Sequence, residues 1–301
     1  MYEKHFGLKD KPFNLAPDPD YLYLSSKHRL GLSLMEYGLM ETAAGLSVIT
    51  GHVGAGKTTL IRKLLRRIDH NKLTVGMINN TTTFHDDLVF WVANAFNLPH
   101  EEKDAVGMFR EFQQFLIKEY AQGRRCVLIV DEAQNLGEKA LEQLRMLTNI
   151  NADRDQLLQI VLVGQPELYD ILQRPEMAQI AQRVSVEHHL EPLDYPETGE
   201  YIRHRLEVAG TEQSLFDDDA IKLFYLLSGG VPRLINTLCD YALVHAYALD
   251  KSRVDLEIAL SVLKGRKIGG INRYAQETAD AVRLHEEFRQ RGFDIKAMIA
   301  A

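Results

Sequence analysis

Two rhythms of apolar and polar positions alternate along the first 190 residues. Short, largely apolar runs occur at 46–50, 73–79, 126–130 and 157–163, and the one at 126–130 is continuous. A continuous run suits a parallel strand buried on both faces, and 157–163 repeats the pattern. Between them, apolar residues recur at three- and four-residue spacing. Leu60, Ile61, Leu64, Leu65 and Ile68 make such a stripe over 57–68, as one face of a helix does. Further helices are expected over about 27–41, 84–97, 104–121 and 137–149. In the first, Leu30, Leu34, Tyr37 and Leu39 supply the apolar face. In the second, Trp91 shares its face with Val89, Val92 and Phe96. Strand and helix in alternation predict an α/β fold, a parallel sheet covered by helices.

After Pro192 the strand-like runs stop. Helical patterns follow over about 195–209, 217–228, 232–249 and 254–264. The first 27 residues are rich in proline and aromatics, with Pro12, Phe13, Pro17, Pro19, Tyr21 and Tyr23. They read as an irregular arm lying on the core. The expected organisation is an arm at 1–27, an α/β domain at 28–192, a small all-helical domain at 193–267 and a helical tail at 268–301.

Composition narrows the class. The chain has 301 residues, 46% hydrophobic and 26% charged, which fits a globular protein of about two domains. Its formal net charge is −7, so no bulk basic footprint for nucleic acid exists. From Lys264 onward, however, eight Lys and Arg stand against five Asp and Glu. The two cysteines, Cys126 and Cys239, provide neither a disulfide framework nor zinc spacing and fit a reducing, cytoplasmic compartment. The N-terminus lacks an apolar signal core. No run approaches the ~20 residues of a membrane span, so membrane association is expected only through a partner.

The strongest chemical signal is Gly51-His52-Val53-Gly54-Ala55-Gly56-Lys57-Thr58. Gly, four residues, then Gly-Lys-Thr, between a strand and a helix, is the phosphate-loop pattern. Glycines let backbone N–H groups turn inward around phosphate oxygens, and the helix N-terminus adds its positive end. Lys57 reaches the β and γ phosphates, Thr58 offers a hydroxyl to magnesium, and Thr59 completes the binding segment. The second signal is the apolar strand 126–130 running into Asp131-Glu132. Asp131 suits the magnesium shell, and Glu132 suits the base that polarises the attacking water. The expected ligands are therefore ATP and Mg2+.

These motifs together resemble the AAA+ ATPases, with a P-loop core followed by a helical lid. More narrowly the chain resembles the ExeA/GspA-type ATPases of bacterial secretion, MSHA-type pilus and exopolysaccharide systems. That resemblance covers roughly residues 1–267. It is carried by the phosphate loop, the opening residues 2–8, Lys11-Pro-Phe13, Pro17-Asp-Pro19, Glu36-Tyr-Gly38, Asp131-Glu-Ala-Gln134, Val163-Gly-Gln-Pro-Glu-Leu168 and Gly229-Gly-Val-Pro-Arg233. A broader similarity extends to the MuB, TniB and TnsC transposition regulators.

The resemblance implies further roles. Gln165 takes the sensor-one position, or is a polar strand cap. Arg183 takes the place of an arginine finger given to a neighbouring subunit, with Arg174 as the alternative. Arg233 takes the sensor-two position in the lid. His52 stands where relatives often carry an acid; it tunes phosphate affinity or is exposed without a role. Phe13, Pro17 and Tyr23 pack near adenine, or staple the arm to the core. Two settings follow. In one, a homo-oligomer, ring or filament, hydrolyses ATP at subunit interfaces for a protein client in secretion, pilus or polysaccharide export. Relatives of this type often continue into a membrane span and a peptidoglycan-binding region; a chain stopping near 301 favours a stand-alone ATPase. In the other, the protein assembles on duplex DNA beside a transposase. Arg62, Lys63, Arg66, Arg67 and the basic tail are then the candidate phosphate contacts.

Overall fold

In the computed structural model the residues described are 1–40, 45–79, 87–99, 104–152, 155–265, 271 and 277–300. They divide into two compact units. One comprises Ser26–His52 and Leu60–Leu190; the other comprises Met1–Ser25, Val53–Thr59 and Glu191–Ala301. The elements run α1 (Ser26–Met40), β1 (Leu46–Gly51), α2 (Lys57–Arg67), β2 (Leu73–Ile78), α3 (Leu88–Ala95), α4 (Ala105–Ala121), β3 (Arg125–Val130), α5 (Glu138–Leu147), β4 (Asn151–Ala152), β5 (Asp155–Gln156), β6 (Leu158–Gly164), α6 (Pro166–Leu172), α7 (Ala178–Ala181) and β7 (Val184–Leu190). Then come α8 (Tyr195–Val208), α9 (Asp218–Ser228), α10 (Pro232–Ala248), α11 (Leu256–Gly265), α12 (Ala279–Gln290) and α13 (Ile295–Ala300).

The first unit is built on a five-stranded sheet of order β2–β3–β6–β1–β7, with every pairing parallel. β1 and β6 are buried along their whole length, and β3 is buried after its first residue. That is why they read as largely apolar runs, and the polar residues within them, Ser47, Thr50 and Gln159, are buried too. β7 lies at the edge beside β1 and buries Val186 and Leu190 while exposing Ser185, Glu187 and His189. Its alternation is that of a strand covered on one face only. β4 and β5 form a two-residue antiparallel pair that the hydrophobic pattern does not announce.

Helix α1 corrects the expected face. Leu39 is buried as expected and Leu34 is half-buried, but Leu30 and Tyr37 are 54% and 53% exposed, and Leu32 and Met35 are buried in their place. The reason is two glycines. A Cβ on Gly31 would stand 2.7 Å from the His188 ring, and one on Gly38 would stand 2.8 Å from Ser47 Oγ. Their missing side chains let the helix lie close against β7 and β1, and that approach fixes which stripe turns inward. Trp91 is half-buried and packs on the core of this unit. The part of the expected second helix at 84–86 lies outside the described residues.

A carboxylate near the end of α4 joins the turn into β3 to β2. Arg124 grips the Glu119 carboxylate through two bonds of 2.7 and 2.6 Å, and the Thr74 hydroxyl donates to the same group. The Arg124 guanidinium, then Thr74, holds the Glu119 carboxyl below its ordinary value of 4.5. A depressed folded value gives stability that is present above the unfolded value and lost as pH falls through the folded one. Glu119→Gln is expected to cost about 1–3 kcal/mol at neutral pH. The gap to the wild type should close in acid, below the ordinary glutamate range. Urea denaturation at both pH values measures this; a gap independent of pH would remove the ionic explanation.

In the second unit, α8 to α12 surround a core containing Leu206, Phe224, Leu227, Ile235, Leu243, Val262, Leu284 and Phe288. Helix α8 starts with a capping box, Asp194 accepting from the Glu197 N–H and Glu197 reaching back, which satisfies two donors of its first turn. The arm at 1–25 belongs to this core. Phe13 is buried edge-on to Phe216, and the Tyr2 hydroxyl donates to Asp240. Buried Arg205 donates to the carbonyls of Pro12 and Asn14 and stacks over Tyr21. Tyr23 packs against Tyr201 and His204, while Pro17 is exposed.

The tail continues as α12 and α13. Three of its cations are paired: Arg283 with Asp280, Arg291 with Asp219 and Lys296 with Glu277. Arg266, Lys267, Gly269, Gly270 and Arg273 lie outside the described residues.

Candidate functional site

β1 delivers the chain to the glycine-rich loop and α2 receives it at Lys57. Gly54 has φ +83° and Gly56 φ +100°, a region that L side chains rarely enter. Within the segment Val53–Thr59 the loop also makes a close contact inside its own unit. The Arg233 N–H, at the start of α10, donates to the Gly54 carbonyl at 3.2 Å. A Cβ on Gly54 would stand 2.5 Å from Cβ of Arg233. Only glycine therefore serves at 54, on grounds of both φ and space. Lys57 is 6% exposed and Ala55 is buried; Gly56, Thr58 and Thr59 are half-buried, while His52, Val53 and Arg233 are exposed.

The sheet register brings three strand ends together in the α/β unit. Thr50 of β1 lies beside Gly164 of β6, and Leu162 of β6 lies beside Val130 of β3. Gly51, Gln165 and Asp131 therefore leave the same edge of the sheet side by side. The carboxyl ends of parallel strands are where open α/β sheets hold ligands. His189, on the other side of β1, shares a 2.9 Å hydrogen bond with the Thr50 hydroxyl, and its ring stands 6.1 Å from that of His52.

Asp131 is 7% exposed. Its N–H donates to the Ile78 carbonyl, and its Oδ1 accepts from the Glu132 N–H at 3.0 Å. Glu132 has φ 55° and ψ 39°. A left-handed non-glycine residue costs on the order of 1–3 kcal/mol and persists where its surroundings over-determine it. The surroundings here are amides. Gln134 Nε2 donates to Glu132 Oε2 at 2.6 Å, and Gln165 Nε2 donates to the same oxygen at 3.2 Å. Gln134 Oε1 accepts from the Gln165 N–H at 2.9 Å. Glu132 and Gln165, read separately from the sequence, thus meet at one oxygen. Gln134 was visible only as one letter of Asp131-Glu-Ala-Gln134, and nothing local marked its contact with β6.

The two finger candidates are held within the α/β unit. Arg183 donates to the Thr148 hydroxyl at 3.1 Å and to Asn149 Oδ1. Arg174 pairs with Glu138 at 3.0 Å. On α2, Arg67 pairs with Glu36 at 3.2 Å.

The fold and loop define the class: a P-loop protein with an AAA domain. Residues 40–172 match the family model described as AAA domain. The chain is similar to general secretion pathway protein A of Aeromonas hydrophila, with 39% identity over 269 residues. That match covers 88% of this chain and 49% of the relative, so the chain spans about half the relative's length. The resemblance to the ExeA/GspA type read from the motifs is borne out.

Among solved structures, the Aeropyrum pernix ORC2 protein gives a TM-score of 0.63 at 17% identity, covering 85% of this chain and 71% of that one. Cdc6p from Pyrobaculum aerophilum gives 0.64 at 15% identity, covering 88% and 73%. At such identities the likeness concerns the fold alone.

Proposed function

We propose that the protein binds Mg-ATP at the loop 51–59 and hydrolyses it, working as an assembly of identical subunits on a secretion or envelope-assembly client. The observation that carries the reading is the shared sheet edge, where the glycine-rich loop, Gln165 and Asp131-Glu132 follow adjacent strands. Backbone N–H groups of the loop and Lys57 take the phosphates. Glu132 polarises the attacking water, and Gln165 senses the γ phosphate. The Thr58 hydroxyl and the Asp131 carboxylate are hard oxygen donors, of the kind that hold magnesium together with phosphate and water oxygens. When bound, the ion supplies charge neutralisation between the β and γ phosphates. Arg233, whose stem rests on Gly54, carries nucleotide state into α10.

The client follows from similarity to general secretion pathway protein A over 88% of this chain. Among the described residues no helix is long and apolar enough to cross a membrane. In this reading the protein is cytoplasmic and is recruited to the inner face of the membrane by its client. Duplex DNA gains no support: Arg67 and the cations Arg283, Arg291 and Lys296 already face carboxylates.

Subunit mixing tests the shared site. Arg183→Ala is expected to keep ATP affinity and lose turnover by roughly 10³-fold, the scale of a supplied arginine. Mixing it with Lys57→Ala should restore part of the turnover, because each variant repairs a different side of the interface. Failure of rescue at every ratio would leave Arg183 as the clamp on Thr148 and Asn149 alone.

A further inference from the structure

We propose that Gln134 is the positioning residue of the hydrolytic centre, the group that sets the plane of the Glu132 carboxylate. This rests on the reading of Glu132 as the base. The Gln134 amide is used at both ends, Nε2 on Glu132 and Oε1 on the Gln165 N–H. Its orientation is therefore determined. A flipped amide would set an oxygen against the carboxylate and an NH2 against an N–H.

Two donors, from Gln134 and Gln165, converge on Oε2. The carboxylate cannot turn about its last torsion without breaking both bonds. Gln134 also ties that carboxylate to the backbone that follows β6, so movement of Gln165 is passed to the base through a side chain that touches no phosphate itself. The seat is shaped for it. A Cβ on Gly164 would stand 2.9 Å from Gln134 Oε1 and 2.8 Å from the Leu168 side chain, so a side chain at 164 would push the amide out of its present place.

Gln134→Met keeps length and bulk and removes both hydrogen bonds. The expected result is a fall in kcat of about 10–100-fold, the scale of small misplacements in a catalytic group, with ATP affinity and melting temperature close to wild type. Gln134→Glu should fall further, since it sets a second carboxylate against Glu132. Gly164→Ala, which displaces the amide from the other side, should reproduce the Met variant in kcat.

The deciding measurement is the double variant. On a Glu132→Gln background, Gln134→Met should change the residual turnover by less than about two-fold, because its effect passes through Glu132. Wild-type kcat in Gln134→Met would overturn the proposal. So would an equal loss on both backgrounds, which would make the amide a general support of the turn. Wild-type turnover in Glu132→Gln alone would instead remove the assignment of the base.

Discussion

Glu132→Gln is expected to bind ATP as the wild type does and to hydrolyse it about 10²–10⁴-fold more slowly, the range of a lost general base. The substitution is isosteric, and its local geometry is conserved. The new amide oxygen can take the place of Oε2 and go on accepting from Gln134 and Gln165. Its NH2 then lies where a carboxylate oxygen stood. It donates where it should accept, and the water keeps its proton. Nothing in this change reaches the glycine-rich loop, so phosphate binding persists and ATP-bound assemblies should accumulate. Phosphate release and nucleotide titration on the same preparation separate the two effects. Turnover at the wild-type rate would move the base elsewhere, and lost affinity would make Glu132 a binding residue.

Lys57→Ala should abolish ATP binding at concentrations that saturate the wild type. A charge-assisted bond to phosphate is worth about 1.5–3 kcal/mol, and the lysine makes more than one. The expected loss in affinity is therefore at least about 10²-fold. The folded chain should survive, because the substitution leaves Gly54, Gly56 and the stripe of α2 intact. Thermal denaturation with and without nucleotide reads both points. Saturating ATP stabilises the wild type by about 2.7 kcal/mol at a hundred times Kd; that increment should vanish in the variant. A retained shift would show that the loop holds phosphate by backbone alone. A lower melting temperature without ATP would show that buried Lys57 also supports the fold.

Local physics made the nucleotide chemistry legible in sequence. The glycine-rich loop is one contiguous segment whose residue types answer local needs, positive φ at Gly54 and Gly56 and a cation at the start of α2. Strands β1, β3 and β6 are buried on both faces, and a largely apolar run, continuous in β3 after its first residue, is the direct consequence. Asp131-Glu132 stood out because an acidic pair closes an apolar strand downstream of the glycine-rich loop.

What the chain alone left open depended on distant partners. Of the stripe read on α1 only Leu39 is buried, and the close approach of Gly31 and Gly38 to His188 and Ser47 selected Leu32 and Met35 beside it over Leu30 and Tyr37. The aromatic arm had two destinations in sequence; packing against Phe216 and Arg205 decided where Phe13 lies. Gln134 is an ordinary polar residue until β3 and β6 lie side by side and carry it to Gln165. The sequence by itself determined the fold class, the phosphate loop and the acidic pair, because each is written in neighbouring residues. Only the tertiary structure decided which helix face is buried, where the arm rests and which amides hold Glu132. The deciding contacts include Gln134 with Gln165, 31 positions apart, and Phe13 with Phe216, more than 200 apart, and no local pattern encodes a distant partner.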